Sequence, residues 1–172
     1  MPELVPVLSK DEIREMVSVL ARKISSEYEG RSLVLIGVLK GAFIFLADLT
    51  RNITIPHEID FLRAASYGSG TTSSEKIKLT KKVETKLHGK DVLLVEDIID
   101  TGITLEYLIE YVKSLQPASI KVCTLIDKHQ RRQKEIKIDY AAHIVQEGFL
   151  VGYGMDYAEG YRNLPDIYHL KL

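Results

Sequence analysis

Two rhythms of apolar residues alternate along the chain. Ile13, Met16, Val17 and Leu20 recur at the spacing of one helix face. Ser9-Lys10-Asp11-Glu12 precedes them with capping-box spacing, in which the hydroxyl accepts from a backbone N–H while Glu12 reaches back. The pattern predicts an amphipathic helix over residues 10–27. Leu33-Val-Leu-Ile-Gly-Val-Leu39 is instead continuously apolar, as a strand covered on both faces should be. A helix over 41–51 and a strand across Ile59–Tyr67 are expected next. Val92-Leu-Leu-Val95 reads as another buried strand. Leu105, Leu108, Ile109, Val112 and Leu115 then form one helix face, closed off before Pro117. Ile120–Ile126 and Tyr140–Val145 supply two further strands. Such alternation argues for a mostly parallel sheet in an α/β fold. No repeat or linker interrupts it, so residues 1–172 are expected to form a single domain.

Between Tyr67 and Glu75 the sequence becomes Gly-Ser-Gly-Thr-Thr-Ser-Ser, a stretch without an apolar anchor that is expected to be a mobile loop. Composition adds exclusions. With 45% hydrophobic and 27% charged residues the chain is globular rather than disordered. A net charge of −1 gives no general attraction to nucleic acid or anionic lipid, so neither is an expected partner. Cys123, the one cysteine, sits in the apolar run Val122–Ile126, which suits a small buried side chain and a reducing compartment. The N-terminus, Met1-Pro-Glu-Leu-Val-Pro6, lacks the basic and apolar regions of a signal peptide. The apolar runs fall well short of the ~20 residues that span a bilayer. A cytoplasmic location is expected.

The candidate chemistry lies at Val95-Glu96-Asp97-Ile98-Ile99-Asp100-Thr101-Gly102-Ile103-Thr104. A buried strand runs into two adjacent carboxylates, and a short turn then opens a helix. In open α/β sheets ligands bind beyond the carboxyl ends of strands. The turn would aim free N–H groups and a helix dipole at that space, with hydroxyls from Thr101 and Thr104 and close backbone approach at Gly102. That is a phosphate cradle. Carboxylates would repel a phosphate unless they accept from hydroxyls or help hold a hard cation. A sugar carrying both hydroxyls and a phosphate satisfies both halves. A strand end with solvated acids and an N-capped helix accounts for a lone Asp-x-x-Asp-Thr equally well.

The full segment is longer than that and resembles the phosphoribosyl-diphosphate (PRPP) signature of type I phosphoribosyltransferases. The resemblance implies ribose hydroxyls on Glu96 and Asp97, and the 5′-phosphate on Asp100, Thr101, Gly102, Ile103 and Thr104. Related enzymes for adenine, orotate and uracil usually carry Ala or Ser where Asp100 stands. The chain is therefore similar to hypoxanthine–guanine phosphoribosyltransferases, whose aspartate takes up the purine N7 proton. That similarity extends across nearly the whole chain. It implies the type I phosphoribosyltransferase fold: a mostly parallel twisted sheet flanked by helices, with a small hood from the terminal segments.

Further matches follow from the same resemblance. Leu39-Lys40-Gly41 stands where the family places its diphosphate loop, with a cis Leu39–Lys40 bond, and Arg162 matches the arginine that meets the diphosphate. Ser66-Tyr67 matches the start of a lid that excludes water during the reaction. Lys128 matches the lysine that donates to the 6-oxo group of the purine. Phe149 would stack on the base, backbone groups of Leu150 would meet the ring edge, and Asp156 would bind Mg²⁺. Glu96 and Asp97 complete the implied metal set. Ile103 departs from the polar residue that relatives often carry, so the phosphate loop should rely on backbone N–H groups and threonines.

The implied activity is purine salvage: Mg²⁺-dependent transfer of the 5-phosphoribosyl group from PRPP to N9 of hypoxanthine or guanine, giving IMP or GMP and diphosphate. Homodimers or homotetramers are the assemblies the resemblance implies. Five histidines at 57, 88, 129, 143 and 169 lack zinc-ligand spacing. No Gly-x-x-x-x-Gly-Lys-Ser/Thr loop and no Gly-x-Ser-x-Gly elbow occurs. Two other readings remain open at this point: a nucleotide-binding regulator with an RNA-binding face, and a nonspecific nucleotide-binding module.

Overall fold

The six residues Leu33–Val38 form β2, every one of them buried, because the strand lies between two neighbours and under helices on both faces. The computed structural model describes residues 1–67 and 76–172. Among these, α1 covers Lys10–Glu27, α2 Phe43–Asn52 and α3 Ile103–Lys113. The strands are β1 (Glu3–Leu8), β3 (His57–Tyr67), β4 (Lys76–Lys81), β5 (Asp91–Ile99), β6 (Ser119–Lys128), β7 (Tyr140–Val145), β8 (Leu150–Val151) and β9 (Ile167–Lys171). The main sheet runs β4-β3-β2-β5-β6-β7; β4 pairs antiparallel and the other pairs are parallel.

Period-two alternation divides the core between the two faces. Leu33, Leu35, Leu93, Val95, Cys123 and Leu125 pack with Ile13, Val17, Phe45, Leu46 and Leu49 of α1 and α2. Val34, Ile36, Val92, Leu94 and Val122 pack with Leu105, Leu108 and Val112 of α3. Burying each such side chain contributes about 1.5–3 kcal/mol relative to exposure. Gly37 lets α2 lie close: a Cβ there would stand 2.6 Å from Leu46 Cδ2. Helix α1 begins as its sequence predicts, with Ser9 Oγ accepting from Glu12 N at 3.1 Å.

Four strands have no counterpart in the apolar pattern. β1, β9 and β8 form a separate antiparallel sheet, the hood expected from the terminal segments. β1 contains Pro6, a residue that weakens strand signals and is tolerated at the edge position β1 holds. β4, Lys-Ile-Lys-Leu-Thr-Lys, is a half-exposed edge strand. β5 runs past Val95 through the acidic pair to Ile99, because Glu96 and Ile98 keep their register with Thr124 and Ile126 of β6. Residues 68–74, expected as a loop, lie outside the described residues. No helix among those described is long and apolar enough to cross a membrane.

Candidate active site

The site collects at the carboxyl ends of β2, β5 and β6. Glu96 is 8% exposed, and burial, then the Asp97 carboxylate beside it, hold its carboxyl well above the usual carboxylate range. Burial likewise raises Asp97, against the pull of the Ile98 backbone and of Arg162. Glu96, buried, and Asp97, half-buried beside it, therefore cannot readily both be charged, which is the condition for a site that waits for hydroxyls or a cation. Gly41 packs directly on this pair: a Cβ on it would fall 2.0 Å from Asp97 Oδ2. Gly41, expected on the diphosphate, and the acids are thus neighbours, and the Leu39–Lys40 bond is cis, as the resemblance implies.

After Ile99 the chain turns through Asp100–Gly102 into α3. Gly102, at φ 84°, caps the helix, a conformation that suits glycine. Thr101 Oγ1 accepts from Ile103 N at 3.3 Å. A cavity of about 140 Å³ opens against Glu96, Ile98, Ile99, Asp100, Thr101, Gly102, Thr104 and Leu105. The first N–H groups of a helix lack intrahelical partners, so this hollow suits a phosphate. Ile103 is not on its wall; its place in the loop is a backbone one. Larger hollows exist, such as one of about 510 Å³ between α1, α2 and residues 163–165, but that one is lined by neither the acidic pair nor the start of α3.

Asp100 has a divided environment. Its Oδ2 faces Arg131 Nη1 at 3.3 Å and Lys128 Nζ at 3.7 Å. Its Oδ1 is buried without a hydrogen-bond partner among the described residues. Lys128, 6% exposed at the end of β6, is thus brought to Asp100.

The C-terminal segment folds over the opposite side. Arg162 Nη1 donates to Gly154 O at 2.8 Å, and a Cβ on Gly154 would sit 2.4 Å from Gly41 O. Arg162 Nη2 lies 3.3 Å from Asp156 Oδ1 and 3.2 Å from Glu159 Oε1, while Lys40 Nζ lies 3.2 Å from Glu159 Oε2. Lys40 and Arg162, expected on the diphosphate, thus share the Glu159 carboxylate. Those two cations in turn hold Glu159 below the ordinary carboxylate range, Lys40 more than Arg162.

Other expected residues are placed as follows. Phe149 is 49% exposed and meets Tyr157 edge to face at 5.7 Å, so it is free to stack and is not a core residue. It lines a separate hollow with Gln130, Glu147 and His169. Leu150 is 5% exposed in β8, leaving only its backbone for a ligand. Ser66 and Tyr67 pair with Ile77 and Lys76 across β3 and β4, and residues 68–75 that follow lie outside the described residues. Glu96, Asp97 and Asp156 are not gathered into one ligand nest; among the described residues no three His, Cys, Asp or Glu side chains are. They fit Mg²⁺ in another way, since that ion takes one or two carboxylates and completes its octahedron with water and substrate phosphate. Sequence reading missed Glu159, Arg131, Arg132 and Asp127. The adjacent arginines shortly after Lys128 were the one available signal.

A profile of the phosphoribosyl transferase domain matches residues 9–158. Hypoxanthine-guanine phosphoribosyltransferase of Bacillus subtilis is 46% identical over 165 residues, covering 96% of this chain and 92% of that protein. The bifunctional protein TilS/HprT of Listeria monocytogenes is also 46% identical over 165 residues, but there the chain spans only 26% of the relative's length. A crystal structure of a Bacillus anthracis hypoxanthine-guanine phosphoribosyltransferase superposes with a TM-score of 0.92 at 40% identity, covering 99% of this chain and 100% of that one. With the sheet order, the acidic pair and the glycine-capped turn into α3 all in place, the chain belongs to the phosphoribosyltransferase family.

Proposed function

We propose that this chain transfers the 5-phosphoribosyl group of PRPP to N9 of hypoxanthine or guanine, yielding IMP or GMP and diphosphate in purine salvage. The carrying observation is Asp100: one carboxylate oxygen faces Lys128 and Arg131, and the other is buried and unpartnered beside the phosphate-cradling turn. That turn, Asp100–Thr104, takes the 5′-phosphate. Glu96 and Asp97 accept from the ribose hydroxyls, which draws the pair toward the charged form. Lys128 donates to the 6-oxo group, Phe149 stacks on the ring and backbone groups of Leu150 meet its edge.

As the C1′–oxygen bond breaks and N9 bonds to C1′, positive charge spreads over the sugar and the N7 proton passes to Asp100. Lys40, Gly41 and Arg162 receive the departing diphosphate, with Arg162 acting as a planar multi-donor cation. Asp156, Glu96 and Asp97 would hold Mg²⁺, which when bound neutralises charge on the leaving group. Ser66 and Tyr67 begin the lid that keeps water out. Residues 1–172 work as one unit, supported by a core cluster running from Leu8 to Ile167. A cytoplasmic setting and a homodimer or homotetramer complete the proposal; light scattering after gel filtration tests the assembly.

Diphosphate release with PRPP, Mg²⁺ and each of hypoxanthine, guanine, xanthine and adenine tests the reaction. Release with the first two and not with adenine is expected; no release with any base overturns it. Asp100→Asn should lower turnover by about 100-fold or more, within the range for lost general acid–base catalysis, with PRPP affinity far less affected. Near-normal turnover in that variant would remove the proton-transfer role.

A further inference from the structure

We propose that Arg132 is a positioning residue that fixes Asp100 and the start of the phosphate loop, an assignment resting on the role of Asp100 proposed above. Arg132 lies in the segment between β6 and β7, and its guanidinium reaches back across the ends of two strands. Its Nε donates to Asp100 O at 2.9 Å. Its Nη2 meets Ile99 O at 3.2 Å, Lys128 O at 3.0 Å and Asp127 Oδ1 at 2.6 Å. Ile99 and Asp127 are register partners, so one side chain laces the last pair of the β5–β6 ladder. Asp127 is itself held on its other oxygen, Oδ2, 3.0 Å from His129 Nε2.

The backbone of the same segment continues the clasp. Gln133 N and Lys134 N donate to Thr101 O at 2.9 and 3.1 Å, and Arg132 N turns back onto His129 O at 3.1 Å. Three successive carbonyls, those of Ile99, Asp100 and Thr101, therefore accept from residues 132–134. The peptide planes on both sides of the Asp100 Cα are pinned, and its side-chain direction follows from them. The clasp sits where the β5–β6 ladder ends, and Asp100 and Thr101 lie beyond its last pair. A planar fork can serve several acceptors at once, whereas an ammonium is a point charge. Displacement of a reacting group by about 1 Å can cost about 100-fold in rate.

The test uses the intact chain, Arg132→Lys, Arg132→Met, Asp100→Asn and the Arg132→Met/Asp100→Asn double variant, with thermal unfolding of each and diphosphate release from PRPP and hypoxanthine. Both Arg132 variants should lose about 10- to 100-fold in kcat while KM for hypoxanthine changes by no more than about 3-fold. The double variant should be within about 2-fold of Asp100→Asn alone, because two residues acting through one group do not multiply their effects. Near-normal kcat in Arg132→Met, or losses that multiply in the double variant, would overturn the proposal. If neither single Arg132 variant folds, the residue is a folding strut and the proposal falls as well. An intact chain that releases no diphosphate would instead overturn the proposed reaction.

Discussion

At the residue scale the decisive fact is that a buried acid, Glu96, and a half-buried one, Asp97, stand side by side. Burial raises both carboxyls in the folded chain; the Asp97 charge raises Glu96 further, while the hydrogen bond with Glu96 opposes the rise of Asp97. A raised folded pKa means that the native state holds more protons than the unfolded one. Stability from this pair is therefore full below the ordinary carboxylate range and is lost as pH rises through the raised values. Glu96→Gln removes the penalty. It should raise the thermal midpoint, more at about pH 7.5 than at about pH 5, while lowering activity. Thermal melts at the two pH values check this; an equal change at both would contradict it. Glu96, Asp97 and Asp100 were legible in sequence because strand, acids and turn are contiguous. Glu159, which reaches both Lys40 and Arg162, was not: it lies 119 residues from Lys40, and no local pattern announces such a contact.

At the element scale, loops from three places are packed against one another with no spare volume. β2 delivers Gly41 to the end of β5, and the C-terminal segment delivers Gly154 to Gly41. A methyl group on Gly41 must displace the Asp97 carboxylate, which is short and part of the site. Gly41→Ala should therefore cost about 10-fold or more in PRPP turnover, with little change in urea unfolding. A fully active variant would show that the contact yields freely. The amphipathic helices and the buried strands were readable from their periods, since each signal is carried within one element. β8 and β9 were not: two- and five-residue strands become strands only by pairing with each other and with β1.

At the scale of the whole molecule, buried tyrosines tie the layers together. Tyr140 donates to Glu27 and links β7 to the end of α1; Tyr153 donates to Asp48 and links the C-terminal segment to α2. Burial first, then the Asp91 and Asp139 charges, push Tyr28 up to about 12. Burial and their carboxylate partners raise Tyr140 and Tyr153 further. The unfolded chain loses these protons near pH ~10, so the stability they give is full below that and falls as pH climbs toward and past about 12. Urea midpoints should drop between about pH 9 and about pH 11, and Tyr140→Phe should flatten that slope; an unchanged slope would mean that other groups carry it. By itself the sequence determined the helix faces, the central strands and the acid-bearing turn into α3, because hydrogen bonding and burial there follow a local pattern. Only the tertiary structure decided which distant charges meet: Asp100 with Lys128 and Arg131, Arg132 across two strand ends, and Lys40 and Arg162 on Glu159. Those pairings depend on sheet order and on loops crossing between strands, and no spacing along one chain specifies them.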